Sequence, residues 1–274
     1  MNDRPRRAPW LRTWVIGFLL APAAVFAQPK AELVALPVRD GVTQTYLLVA
    51  DPAVPVEQIV LLFSGGAGNV RLRPASVRPE FAERGNVLVR SRYLWADGGF
   101  ASAVVDVPSD RTELGLDDVF RSGRVHAEDI AKVIADLRQR FPKVPLTLIG
   151  TSRGTVSAAS VARQLPGHFE RVVLTSSVFT ASRGGAGLSG FDYASIKGPL
   201  LFVHHAEDGC AQTPYFSAKR LAATYPLITV NGGRPAESGP CDPLAAHGFF
   251  GREAETVEAV KNWIRGRTFA TQIQ

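Results

Sequence analysis

The chain is poor in the residues that would announce a metal centre, a redox pair or a membrane span. Its one methionine is Met1 and its cysteines number two, Cys210 and Cys241. Two thiols without a C-x-x-C spacing cannot build a structural zinc site of their own. A bilayer span needs about 20 consecutive apolar residues; Trp14–Ala27 offers fewer and contains Pro22. No block of like charge and no Lys/Arg stripe interleaved with aromatics is present, so a nucleic-acid-binding surface is not expected. Internal repeats and low-complexity tracts are also missing.

What the N-terminus does contain is a basic opening, MNDRPRRAPWLR, followed by the apolar TWVIGFLLAPAAVFA. Val25 and Ala27 stand as the small residues of a cleavage site before Gln28, the pattern of an export signal over residues 1–27. Pro9 and Trp10 argue against a twin-arginine reading of Arg6-Arg7, and an uncleaved anchor is the alternative. The expectation is an exported, periplasmic or extracellular protein with no stable membrane anchor after cleavage; the mass of the exported product checks it. The formal charge of +6 owes much to this segment. Removing its four arginines and one aspartate leaves 27 basic against 24 acidic residues in a remainder of 247, a single domain's worth of chain over 28–274. In an exported chain an even pair of cysteines reads first as a disulfide, with two free buried thiols as the alternative.

Apolar runs then recur with helical or loop segments between them. Leu33–Val38 and Thr43–Val49 read as an antiparallel pair around Arg39-Asp40-Gly41, and Gln58–Phe63 as a continuous buried strand. Ala101–Val107, Leu146–Ile149, Arg171–Thr175, Leu200–His204 and Leu227–Val230 read as further strands, and His126–Phe141 and Arg252–Ile264 carry apolar positions at helical spacing. Such alternation predicts an α/β class, with a mostly parallel sheet covered by helices on both faces.

In such sheets ligands gather beyond the carboxyl ends of the strands, and four segments at those ends carry chemistry. After Gln58–Phe63 comes SGGAGN (Ser64–Asn69); after Leu146–Ile149 comes Gly150-Thr151-Ser152-Arg153-Gly154; after Leu200–His204 comes HAEDGC with Asp208; and a late loop carries AAHGFFG with His247. The second is G-x-S-x-G, in which a sharp strand-to-helix turn exposes a serine hydroxyl and glycines admit neighbouring backbone. The Gly-rich first segment is not a phosphate cradle, because it lacks both the third glycine of G-x-G-x-x-G and a G-K-[ST] ending.

With Ser152, Asp208 and His247 in this order, the chain resembles the α/β-hydrolase family over nearly all of the expected mature chain. The resemblance implies an α/β-hydrolase fold and a triad in which His247 is the base, Ser152 the nucleophile and Asp208 the acid that orients the imidazole. It implies an oxyanion hole from the backbone N–H groups of Arg153 and Gly66, with Ala67 as neighbour to the latter, although Ser64 stands where the family usually has histidine. Glu207 remains an alternative acid and His205 an alternative base. A Cys210–Cys241 bond would tie the acid loop to the histidine loop. No cofactor or metal is called for, and the expected partner is a small-molecule ester or acyl substrate. Carboxylic ester hydrolysis is the leading activity; thioesterase, peptidase or acyltransferase chemistry, or a binding protein that kept the fold, are the alternatives. The Arg153 side chain is expected to pair with an acid such as Asp106, or else to meet an anionic substrate group, and Asp106–Arg111 to line the pocket or support the elbow. Ser176–Gly198 is too short for a large lid domain, so a wall of the site is expected there. Phe179, Phe191 and Tyr193 either touch substrate or pack on the body.

Overall fold

The computed structural model describes residue 1, residues 29–72 and residues 85–274. The export segment over residues 1–27 and the cut before Gln28 lie outside the described residues apart from Met1. Two strands, β1 (Lys30–Arg39) and β2 (Val42–Ala50), form the antiparallel pair expected from the sequence. Gly41 sits at φ +65° in the turn between them, a left-handed conformation that glycine adopts without strain. There follow β3 (Gln58–Phe63), the short helices α1 (Val87–Arg90) and α2 (Arg92–Trp95), and β4 (Phe100–Pro108). Helices α3 (Asp118–Ser122) and α4 (Arg124–Arg140) lead to β5 (Leu146–Thr151), α5 (Gly154–Gln164) and β6 (Arg171–Thr175). The chain closes with β7 (Leu200–His205), α6 (Tyr215–Leu221), β8 (Leu227–Val230), α7 (Glu253–Ile264) and β9 (Gln272–Ile273).

Among the described residues these strands make one nine-stranded sheet in the order β1-β2-β4-β3-β5-β6-β7-β8-β9. From β4 to β9 every pairing is parallel, whereas β1–β2 and β2–β4 are antiparallel. The two-residue β9 has no signature in the sequence, because so short a segment becomes a strand only by finding the β8 edge.

Alternating side chains of the central strands feed two cores. Ile59, Leu61 and Leu148 pack with Ile130, Val133, Ile134 and Leu137 of α4 and Val156, Ala158 and Ala159 of α5. Val60, Leu62 and Ile149 pack on the opposite face with Val87, Leu88, Trp95, Val257, Val260 and Ile264. Burial of both faces explains why these strands are continuous apolar runs. With each buried aliphatic side chain worth about 1.5–3 kcal/mol, the sheet is a rigid frame for loops at its ends. The chain leaves β3 for β4 on one side and returns to β5 on the other, so the carboxyl ends of β3 and β5 flank a crevice at the switch point. Between β6 and β7 the only regular element among the described residues is the single 3-10 turn Tyr193–Ser195, and no lid domain is inserted there.

Candidate active site

Ser152 follows the last residue of β5 and precedes the first of α5 by two positions. Its φ of +51° is one that side chains other than glycine seldom adopt. The surroundings hold it there: the Ser152 N–H donates to Thr175 O at 3.0 Å, and the Ser152 carbonyl accepts from Thr155 N–H at 2.9 Å and Thr155 Oγ1 at 2.6 Å. The glycines of the motif are required by contact. A Cβ on Gly154 would lie 2.0 Å from Phe63 O, one on Gly150 2.3 Å from Gly154 O, and one on Gly65 2.9 Å from Ser152 Cβ.

Asp208 and His247 come together from loops 39 residues apart. Asp208 Oδ2 lies 3.0 Å from His247 Nδ1, and the carboxylate is fully buried. Its Oδ1 accepts from Cys210 N–H at 2.9 Å and its Oδ2 from Thr213 Oγ1 at 2.8 Å. Thr213 is a site residue that the sequence reading missed; its hydroxyl is also 3.2 Å from His247 Nδ1, and nothing local distinguishes it from any loop threonine. With Nδ1 facing the carboxylate, Nε2 is the nitrogen left to face the cleft. The His247 carbonyl accepts from Ser176 Oγ at 2.8 Å.

The rival groups are engaged elsewhere. Glu207 is exposed, and its backbone N–H donates to His205 Nδ1 at 3.1 Å, while the other ring nitrogen of His205 bonds Gly232 O at 2.8 Å. His204 Nε2 accepts from Ser177 N–H at 2.9 Å and its ring stacks on Phe179; burial pushes its pKa down to about 3. His126 lies between Phe63 and Phe120 with neither ring nitrogen bonded, and burial likewise pushes it down to about 3. Phe191 and Tyr193 pack on one another and Tyr193 on Phe202, so these aromatics serve the body and line neither cleft at Ser152.

The N–H groups of Gly66 and Arg153 have no acceptor among the described residues. Ser64 Oγ donates to Gly68 O at 3.3 Å and Gly68 N–H to Gly65 O at 3.0 Å, which folds the loop on itself. Beneath it lies a second residue unnoticed in the sequence, Arg121, whose guanidinium is fully buried. Its Nη2 donates to Gly66 O at 3.1 Å and Ser64 O at 3.4 Å, and its Nη1 to Ser157 Oγ on α5 at 2.9 Å. Burial pulls its pKa down to about 9, still above neutrality. This cation therefore clamps the Ser64–Gly66 loop to the helix that carries the elbow.

Two expectations are corrected. The acid of Arg153 is Asp118, with Nη2 to Oδ1 at 2.7 Å, and not Asp106. Asp106 instead accepts backbone N–H groups of Val70 at 2.8 Å, Leu72 at 2.6 Å and Val107 at 2.8 Å, and lines a depression that shares no residue with the clefts at Ser152. A carboxylate fixed by backbone donors shapes the chain after the Gly-rich loop; it neither lines the pocket nor touches the elbow. Asp110, at the end of the same segment, pairs with Arg39 at 2.8 Å.

Two clefts meet at Ser152. One, of about 350 Å³, is lined by Gly65, Gly66, Val87, Pro243 and His247; the other, of about 490 Å³, by Gly66, Arg153, Val178, Arg183 and Gln212. The Cys210–Cys241 disulfide is formed, and Cys241 lines both clefts. Among the described residues, no group of three or more His, Cys, Asp or Glu side chains is placed to hold a metal ion.

A parallel sheet with an antiparallel edge, a serine at the turn from β5 to α5, and an acid and a histidine on later loops define the α/β-hydrolase fold. Solved structures bear this out. Est1E from Butyrivibrio proteoclasticus is 14% identical with a TM-score of 0.56, over 85% of this chain and 98% of that one. Dienelactone hydrolase from Anabaena variabilis is 14% identical at 0.55, over 87% and 96%. An α/β serine hydrolase without lid from Xanthomonas campestris is 14% identical at 0.55, over 87% and 94%. No family model matches the sequence, and no curated protein matches it.

Proposed function

We propose that the protein is a serine hydrolase that cleaves carboxylic esters through an acyl-serine intermediate. The observation that carries this reading is the convergence, at one pair of clefts, of a strained Ser152, a histidine whose Nδ1 is held by a buried carboxylate, and backbone donors without acceptors. A serine hydroxyl at neutral pH needs a base. In this mechanism His247 Nε2 takes the Ser152 proton as Oγ bonds to the carbonyl carbon, and Asp208 stabilises the imidazolium that results. The negative charge that develops on the former carbonyl oxygen is met by the Gly66 and Arg153 N–H groups, which are fixed before the reaction begins. Collapse breaks the ester bond, and the leaving alkoxide takes the proton from His247. Water then attacks the acyl-serine by the same route, releasing acid and restoring Ser152. The dienelactone hydrolase among the structural neighbours bears the name of an enzyme acting on a lactone, a cyclic ester, which supports an ester as the substrate.

The test is labelling with a serine-reactive phosphonate alongside turnover of short 4-nitrophenyl esters. Ser152→Ala should abolish labelling and lower kcat by about 10³-fold or more with the fold intact, and His247→Ala should be comparably damaging. Full turnover in Ser152→Ala would sink the mechanism.

A further inference from the structure

The larger cleft at Ser152 has a cation without a counter-charge. Among the described residues it is lined by the guanidinium-bearing Arg153 and Arg183 and by no carboxylate. Arg153 has its counter-charge: its Nη2 donates to Asp118 Oδ1 at 2.7 Å and also to Gly184 O. The other oxygen of Asp118 accepts from Gly187 N–H at 2.8 Å, so that carboxylate is fully occupied. Arg183, exposed at the cleft, has no hydrogen-bond, ion-pair or ring partner among the described residues.

Arg183 is nonetheless held in place by its backbone. Ser182 N–H donates to Gly185 O at 2.8 Å, Gly185 N–H to Ser182 O at 3.0 Å, and Gly184 N–H to Ser182 Oγ at 3.2 Å, closing a two-residue hairpin with Arg183 at its tip. The hairpin lies flat on the Arg153–Asp118 pair. A Cβ on Gly184 would fall 1.2 Å from Arg153 Nη1 and one on Gly185 2.5 Å from Asp118 Cβ, while Asp118 N–H donates to Gly184 O at 3.1 Å. The turn that presents Arg183 is thus docked on the residue that follows the nucleophile. A guanidinium at a fixed backbone position, a short reach from the reacting serine and with its donors free, matches the geometry of a carboxylate or phosphate group.

We infer that this cleft is a subsite for an anionic oxygen group, so that the substrates are esters or thioesters whose acyl part ends in a carboxylate or phosphate. The inference rests on the serine-hydrolase reading above and adds a substrate class to it. Arg183 acts by binding the far end of the substrate, so its loss falls on selectivity and leaves the chemistry at Ser152 in place.

The experiment compares kcat/KM for mono-4-nitrophenyl adipate and 4-nitrophenyl hexanoate, which share acyl length and leaving group and differ in one terminal carboxylate. The protein should favour the adipate ester. Arg183→Gln should lower the adipate-to-hexanoate ratio by about tenfold or more, the worth of one charged hydrogen bond. Arg183→Lys should restore part of the ratio, and added salt should erode it. Calorimetric binding of adipate and of inorganic phosphate to the wild-type protein and to Arg183→Gln supplies a readout independent of turnover. Tighter adipate binding lost in the variant assigns the site to carboxylates, and tighter phosphate binding lost in the variant assigns it to phosphate-bearing acyl groups. An unchanged ratio with normal phosphonate labelling overturns the anionic subsite alone, whereas absent labelling with Arg183-dependent anion binding overturns only the hydrolase reading.

Discussion

At Asp208 and Glu207 the choice of acid rests on burial and direction. Asp208 is enclosed, accepts from Cys210 N–H and Thr213 Oγ1, and faces His247 Nδ1, whereas Glu207 is exposed with its backbone turned to His205. Asp208→Asn should lower kcat by about 10²–10⁴-fold, since an amide cannot stabilise the imidazolium and favours the wrong tautomer. Glu207→Gln should stay within about twofold, as exposed substitutions do. Thr213→Val removes one donor from the buried carboxylate and should cost about tenfold. Steady-state kinetics of the three variants decide among them, and a larger loss in Glu207→Gln than in Asp208→Asn would move the acid role. A second residue-scale expectation concerns His126. Its pKa in the fold is about 3 against 6.5 in an exposed histidine, so between those values the unfolded chain binds a proton that the fold does not. Stability from this group is therefore full above pH 6.5 and is lost as pH falls towards 3. With neither ring nitrogen bonded, His126→Phe should flatten the acid limb of a plot of Tm against pH without lowering Tm at pH 7; an unchanged limb would assign that acid sensitivity to other groups.

The elbow is the element on which the site depends, and backbone-to-backbone contact sets its tolerance. At Gly154 the obstacle to a side chain is the Phe63 carbonyl of β3, which belongs to the sheet and cannot yield as a flexible side chain would. Gly154→Ala should destabilise the protein by about 3 kcal/mol or more, or block folding outright. Gly167→Ala makes a useful control. Its φ of +84° carries strain, but no atom lies within 4 Å of an added Cβ, so its cost should be about 1–2 kcal/mol. Denaturant midpoints of the two variants measure the difference. Gly154 is not left-handed, so equal costs would mean that the β3 contact adds no more than the left-handed strain of alanine at position 167.

Across the whole molecule the disulfide joins the loops of Asp208 and His247, the acid and base of the proposed mechanism. It closes a span of 31 residues, for which chain entropy gives about 3–4 kcal/mol, a large share of a folding free energy of about 5–15 kcal/mol. Cys210 also donates its N–H to Asp208, and Cys241 lines both clefts, so the bond reaches the site directly. Reduction, or Cys210→Ser with Cys241→Ser, should lower Tm, and ester turnover should fall at temperatures where the fold survives, because small displacements of catalytic groups are costly. Parallel melting and activity curves with a thiol count check this; full activity after verified reduction would separate the bond from the site.

The sequence by itself determined the order of the eight longer strands and the long helices α4 and α7, the elbow with its glycines, and the spacing of Ser152, Asp208 and His247, because these are written in local signals: runs of apolar residues, turn chemistry and position after a strand. It left Glu207 and Asp208 as alternatives, since adjacent acids differ only in which way the folded loop turns them. Only the tertiary structure decided that Arg153 pairs with Asp118 while Asp106 holds the backbone of residues 70–72, that Thr213 completes the carboxylate's shell, that Arg121 clamps the Gly-rich loop, and that Gln272-Ile273 becomes a strand. Each of these is a pairing between groups far apart in the chain, and no periodicity or spacing along the sequence records a contact that exists only once the sheet has brought its two members together.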